Sequence, residues 1–467
     1  MMTRRLAAFV ADLSCDDLPR ATVEMSKRLL LDGIGCMLAG IDSAPARNVA
    51  AMVRCLGGER QATILPGNTQ GSVRDAAFVN AIALYSVGLN DVHSPSGAHP
   101  GACVIPTVLA VAEWMRLPGK DLLTAMVAGY EVNGRVGRAI IPTHRERGFH
   151  PTGTCGTFGA TAAAARLLGF DADKTANALG IAGSQAAGLY ECHHDGTSTM
   201  IFHAGRAAQN GVEAALLVRA GMTGPATVLE GTKGFFRATS NAADPDAAMR
   251  DLGQRYELEA TSFRPYFGCS STISASGAMA NIMRRAKINP DDIDEIVVRC
   301  HAIVAQDNAE SNPRTLLAAR LSLPFNVALV LTNGDVLASD LEPHELDNPK
   351  IQALLPKIKL IADQSLLRRA AHLEVRFKDG RRETEAIDVP RGSAKNPLTW
   401  HDVVAKFKPL VSASIAHDDQ LKVIDAVANI ETSDGAALVA VLRTAVKNKS
   451  KEPANRELTV AQGALHA

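Results

Sequence analysis

From residue 1 to about residue 260, apolar residues return at helical spacing in one segment after another, and small side chains build these segments. The stretches 21–40, 72–90, 101–116, 121–140, 154–169, 172–188 and 204–221 are rich in Ala, Leu and Val, with Gly or Pro between them. Gly153, Gly156 and Gly159 stand three apart, and Gly205, Ala208 and Gly211 repeat the spacing. Small residues on one helix face let a neighbouring helix approach closely. Only 4% of the 467 residues are aromatic. Such a core is filled by closely packed helices rather than by an aromatic-rich sandwich or barrel. The glycine rows read as packing devices and not as ligand loops.

The texture changes after Thr261. IDEIVVRCHAIVA (293–305) has β-branched residues at strand density. AHLEVRFKDGRRETEAIDV (371–389) alternates apolar and polar residues on both sides of Asp379-Gly380, which predicts a hairpin. Helical patterns at 273–287 and 315–334 lie between them. From Asn396-Pro397 the chain is helical again, at 400–407 and 418–430, and the stretch after Lys447 is polar and expected to fray. The predicted fold is therefore mostly α with a smaller α+β domain. Residues 1–260 and 396–467 make the large helical domain, and residues 261–395 the small one.

Forty-nine basic residues balance forty-nine acidic ones. Nucleic acid is therefore not the expected partner, because phosphate binding needs a basic surplus. The eight cysteines are widely and irregularly spaced with no C-x-x-C pair, so they read as isolated thiols in a reducing compartment. No signal peptide opens the chain and no apolar run is long enough for a membrane span, so a cytoplasmic protein is expected. Gly33-Ile34-Gly35 lacks the third glycine of a dinucleotide loop, since Leu38 stands there. There is no nucleophile elbow for a serine hydrolase. His93, His99, His193, His194 and Asp195 fit no standard ligand spacing, so no metal is expected.

Polar residues that are out of place cluster in four segments. LNDVHSPSGAHPGACVIP (89–106) joins two apolar stretches and carries Asp91, His93 and His99. A substrate carboxylate could meet free backbone N–H groups at the helix start there. RGFHPTGTCG (147–156) repeats the arrangement with His150-Pro151. YECHHDGTSTMIFHAGRAA (190–208) holds His193, His194, His203 and Arg206. SFRPYFGCSST (262–272) puts Arg264 and Tyr266 where the second texture begins, and a domain junction favours a pocket. Each has a bland alternative: a His before Pro can cap a helix or bond a carbonyl, and an Arg can sit in a surface ion pair.

Together these segments resemble the MmgE/PrpD family. The resemblance runs through LLLDGIGCMLAG (29–40), DAAFVNAIAL (75–84), HPGACVIPTVLAVAEW (99–114) and GYEVNGRVGRAI (129–140). It continues through GFHPTGTCGTFGATAAAARLLG (148–169), FHAGRAAQNGVEAALLVRAGMTGP (202–225), LEGTKGFF (229–236), SLPFNVALVL (322–331) and RGSAKNPLTWHDVVAKF (391–407). It implies a large helical domain completed by C-terminal helices, a smaller α+β domain, a homodimer, and no metal or organic cofactor. It implies dehydration, decarboxylation or epimerisation of a small carboxylate.

The chain departs from the family pattern at charged positions. The acidic run D-F-D-D-T-H stands as Gly88-Leu89-Asn90-Asp91-Val92-His93, a usual lysine is Met200, and the lysine of F-K-P-Y-P is Arg264. A usual His is Ile273 and a usual Tyr is Phe325. Arg264 keeps a cation and can grip a carboxylate with two parallel bonds, but it cannot give up a proton at neutral pH. The expected substrate therefore carries fewer carboxylates than a tricarboxylate. The expected function is a cofactor-independent lyase or isomerase that abstracts a proton next to a carboxylate. A decarboxylase of an aconitate-like acid and a non-catalytic relative with a decayed site are the alternatives. His99 and His150 are the expected acid or base and Asp91 the orienting group. Arg264, His93, His194, Lys233 and Tyr266 are the expected substrate contacts.

Overall fold

The computed structural model describes residues 1–195, 197–334 and 343–449, so the polar stretch 450–467 lies outside it. The helices of the N-terminal part that bear on the site are α1 (Arg20–Ala39), α2 (Val73–Ser86), α3 (Pro100–Met115), α4 (Gly119–Ile140), α5 (Pro151–Leu167) and α6 (Thr199–Arg219). Helix α5 is buried along nearly its whole length and packs against α3, α4 and α6. The glycine rows mark where helices come closest. A Cβ on Gly156 would lie 2.6 Å from Cys103 Sγ, and one on Gly211 would lie 2.4 Å from Ala160 Cβ.

The smaller region contains α7 (Ile273–Arg285), β1 (Ile293–Cys300), α8 (Leu323–Asn333), β2 (Ile358–Ala362), β3 (Ala371–Phe377) and β4 (Arg382–Ile387). The four strands form one sheet in the order β2-β1-β3-β4, with β1 and β2 parallel and the other pairs antiparallel. Alternate residues of β3 are buried, so one face of the sheet packs on helices and the other meets solvent. The hairpin falls at Asp379-Gly380, where Gly380 takes the left-handed φ of +86° that the turn needs. Helix α9 (Trp400–Val411) returns to pack on α1. Buried apolar residues divide into two clusters. One runs from Met2 to Phe263 and resumes from Leu398 to Val446; the other runs from Tyr266 to Phe377. The fold is mostly α with a smaller α+β part.

Two elements differ from the sequence reading. The strand expected through residue 305 stops at Cys300, because the His301 ring accepts from the Ile303 N–H at 3.2 Å and starts the helix Ala302–Asp307. The helix expected over 315–334 breaks at Ser322, whose hydroxyl caps α8 through the Phe325 N–H at 3.0 Å. Among the described residues no single helix is long and apolar enough to cross a membrane.

Candidate active site

The site is built around the loop that leaves the carbonyl end of α2. That end carries partial negative charge and unpaired C=O groups. Three cations from distant parts of the chain bind three successive carbonyls there. Arg320 Nη2 donates to Val87 O at 3.1 Å, Arg264 Nη1 to Gly88 O at 2.8 Å, and Lys406 Nζ to Leu89 O at 2.7 Å. Gly88 has a φ of +65°, and a Cβ there would lie 2.0 Å from Arg320 Nη1. The guanidinium of Arg320 thus occupies the space that a side chain at 88 would need. Lys406 is 1% exposed and also pairs with Asp32 at 2.6 Å.

Asp91 follows in the same loop. Its Oδ2 accepts from the Gly101 N–H at 3.1 Å and from the Tyr130 hydroxyl at 2.9 Å. A backbone donor at the start of α3, expected to meet a substrate carboxylate, is therefore held by the chain's own carboxylate. The backbone carbonyl of Asp91 lies 2.6 Å from His99 Nδ1. A carbonyl only accepts, so Nδ1 carries the proton and Nε2 keeps its lone pair. His99 stands at the N-cap of α3 without capping it through its side chain. It bonds a carbonyl with one nitrogen, as the bland alternative has it, and leaves the other for chemistry.

His150 stands likewise at the N-cap of α5, again with no side-chain cap bond. The N-termini of α3 and α5 meet: the His99 N–H donates to Thr152 Oγ1 at 3.3 Å. Tyr85 of α2 lies between the two rings, 5.3 Å from His99 and 6.5 Å from His150 between centroids. His150 Nδ1 is 3.0 Å from His203 Nδ1, so one of the two donates and the other accepts. Tyr190 closes the far side, 5.6 Å from the His150 ring.

Burial, and then the charge of Arg264, hold the His99 ring neutral, with its pKa well below the ordinary range. Burial and the neighbouring His203 lower His150 to about 3. Burial and the charge of Asp32 raise Asp91 to about 6. These shifts make stability depend on pH. A histidine whose folded pKa lies below its ordinary 6.5 binds fewer protons folded than unfolded, so its contribution is lost as pH falls through that window. Asp91, raised from 3.8, works the other way, and stability from it falls as pH rises towards 6. His144, lowered to about 4 by burial, and His203, also lowered by burial, act in the same sense as His150. The histidines outnumber Asp91, Asp32, which burial also raises, and Glu131, which burial raises to about 7. The melting temperature is expected to fall between about pH 7 and about pH 4.5. In His150→Gln, followed by differential scanning calorimetry, it should fall less. A fall as steep as in the wild type would show that His150 carries none of it.

The other expected contacts divide. Arg264 joins the site. His93 does not face it: the ring is fully buried, with Nδ1 2.8 Å from Ser96 Oγ and Nε2 3.0 Å from Glu257 Oε2. Tyr266 turns into the second core, 1% exposed, and bonds Arg391. Lys233 is exposed and lines a different cavity of about 460 Å³ with Gly183, Thr227 and Thr239. The His194 side chain lies outside the described residues. Ile273 and Phe325 pack in the second core, and Met200 packs against the first. Sequence reasoning missed Tyr85, Tyr130, Arg320 and Lys406. Tyr85 alone gave a local signal, as one hydroxyl in an otherwise apolar helix.

The N-terminal domain model of the MmgE/PrpD family matches residues 4–248, and its C-terminal domain model matches residues 266–432. A cis-aconitate decarboxylase-like protein of Aspergillus oryzae is 28% identical over 94% of this chain and 97% of its own length. The cis-aconitate decarboxylase of Homo sapiens is 26% identical over 94% of each chain. The 2-methylcitrate dehydratase of Cupriavidus necator is 24% identical over 74% of each chain. With both domain models matched in order over most of its length, the chain belongs to the MmgE/PrpD family of enzymes.

Proposed function

We propose that this enzyme is a lyase or isomerase that moves a proton at a carbon next to a carboxylate of a small carboxylic acid, with His99 as the proton-transfer group. One observation carries the reading: the 2.6 Å contact from His99 Nδ1 to the Asp91 carbonyl, which leaves Nε2 as an oriented acceptor. Asp91 is the orienting group, because its carboxylate ties the loop to Gly101 and Tyr130 while its carbonyl holds the ring. Arg264 clamps the carboxylate next to the reacting carbon and faces the charge that develops there. An anionic substrate offsets the field of Arg264 and so raises the basicity of His99 on binding. The C–H proton passes to Nε2 and its electron pair spreads into the carboxylate. A β-hydroxyl then leaves as water, taking its proton from the imidazolium that His99 has become, or a proton returns to the other face.

Decarboxylation is the second reading, favoured by the near full-length match to decarboxylases. There the C–C bond breaks, carbon dioxide leaves, and the electron pair left on carbon takes a proton from a histidine. The same reading takes residues 1–260 with 396–467 as the large domain and 261–395 as the small one. It also takes the enzyme as a cytoplasmic homodimer working without metal or organic cofactor. Light scattering and dialysis against a chelator test the last two points. The reaction itself is tested on a panel of di- and tricarboxylates, with alkene absorbance and carbon dioxide release as readouts. Turnover of at least one acid, unchanged after chelation, is expected. Silence across the panel would favour a decayed site.

A further inference from the structure

Away from the His99 site, Arg60, Glu113, Trp114, Arg116 and Asp434 line a cavity of about 640 Å³. Pockets for small ligands run from about 300 to about 1,000 Å³. The cavity shares no residue with the His99 site, and α3 separates the two. His99 precedes the first residue of that helix and Trp114 lies in its last turn, about 22 Å further along the axis. The charges around the cavity are unevenly used. Glu113 spends both carboxylate oxygens on Thr63, accepting from its N–H and from its hydroxyl, each at 2.6 Å. Asp434 spends Oδ1 on the Ala437 N–H at 2.5 Å, and its Oδ2 has no partner among the described residues. Arg60 and Arg116 are exposed, with no ion pair or side-chain hydrogen bond among the described residues. Arg116 ends α3 with a φ of +53°, in the left-handed conformation that a helix end usually gives to glycine. The chain keeps a guanidinium there against backbone strain. Trp114 is half-buried, and the Arg219 guanidinium lies over its ring, 5.2 Å from the centroid, which holds the indole in place as a wall.

We propose that this cavity binds a nucleoside phosphate. The base stacks on Trp114, Oδ2 of Asp434 accepts from a ribose hydroxyl, and Arg60 and Arg116 hold the phosphate oxygens. A bare anion would leave Trp114 and Asp434 unused, and an uncharged ring would leave two arginines without a counter-charge. The ligand is not the carboxylic acid of the proposed reaction, so the two readings can fail separately.

Calorimetry with ADP, adenosine and pyrophosphate tests it on the wild type, Arg60→Gln and Arg116→Gln, both changes being at exposed positions. The wild type is expected to bind ADP at least ~10-fold more tightly than either adenosine or pyrophosphate. Each arginine variant should lose at least ~5-fold in ADP affinity with adenosine unchanged, because each removes charge-assisted bonds to phosphate alone. The chain has two tryptophans, Trp114 and Trp400, so in Trp400→Phe the emission belongs to Trp114 and ADP should quench it. If Trp400→Phe does not fold, Trp114→Leu decides, with an expected loss of at least ~5-fold in ADP affinity. Absence of saturable ADP binding would overturn the proposal, as would ADP affinity unchanged in both arginine variants. Pyrophosphate bound as tightly as ADP would make this an anion site only, and adenosine bound as tightly would leave the arginines without a role; either result overturns it. So would ADP binding with Trp114 emission unaltered.

Discussion

His99→Gln is expected to lower kcat by ~10²–10⁴-fold, the span that a positioned proton-transfer group contributes. The melting temperature should stay close to that of the wild type. Glutamine can still donate an amide N–H to the Asp91 carbonyl, so the loop keeps its tie, but it offers no basic nitrogen to the substrate. The contrast is His93→Gln. His93 is held between Ser96 and Glu257, and Glu257 also pairs with Arg138 at 2.8 Å. Loss there should cost stability, by about 1–3 kcal/mol for the buried groups left unpaired, with a smaller effect on kcat. Equal losses of kcat in the two variants would mean that position and not proton transfer is at stake in the loop.

Lys406→Met is expected to destabilise the protein by about 3–5 kcal/mol, read from chemical denaturation. Lys406 and Asp32 are both nearly inaccessible, and Lys406 also holds the Leu89 carbonyl. Removing the ammonium leaves a buried carboxylate unpaired. Burial already raises Asp32 above its ordinary pKa, opposed chiefly by Lys406. Without Lys406 the carboxylate escapes part of the cost by taking a proton. The double variant Asp32→Leu/Lys406→Met should recover most of the loss, because an apolar pair can replace a buried ion pair at little cost. What it does not recover, about 1 kcal/mol, is the bond to Leu89 O. A single variant that loses under about 1 kcal/mol would show that this pair does not anchor α9 to the loop.

The helices were legible because their information is local. Period and small side chains mark α1 to α6, and proline after His99 and His150 marks the first turns of α3 and α5. The break at Ser322 and the end of β1 at Cys300 depend on single caps that an apolar run conceals. Strand β2 owes its existence to parallel pairing with β1, where Ile296 faces Ile358 and Cys300 faces Ala362, far apart in sequence. The site divides along the same line. His99, His150 and Asp91 lie in short His-Pro loops that the sequence displays. Arg320 and Lys406 lie 233 and 317 residues from the carbonyls they bind, and nothing near them in sequence marks the contact. Lys233, an expected substrate contact, lines another cavity, because order along the chain carries no distance.

Deuterium placement tests the central claim most directly. The wild-type enzyme, in deuterated water with an acid that it turns over, should deliver one deuteron to a carbon next to a carboxylate, in product or in recovered substrate. His99→Gln should deliver it at least ~100-fold more slowly. Turnover with no deuterium at such a carbon, or incorporation at an undiminished rate in His99→Gln, would contradict the assignment of His99 as the group that moves the proton.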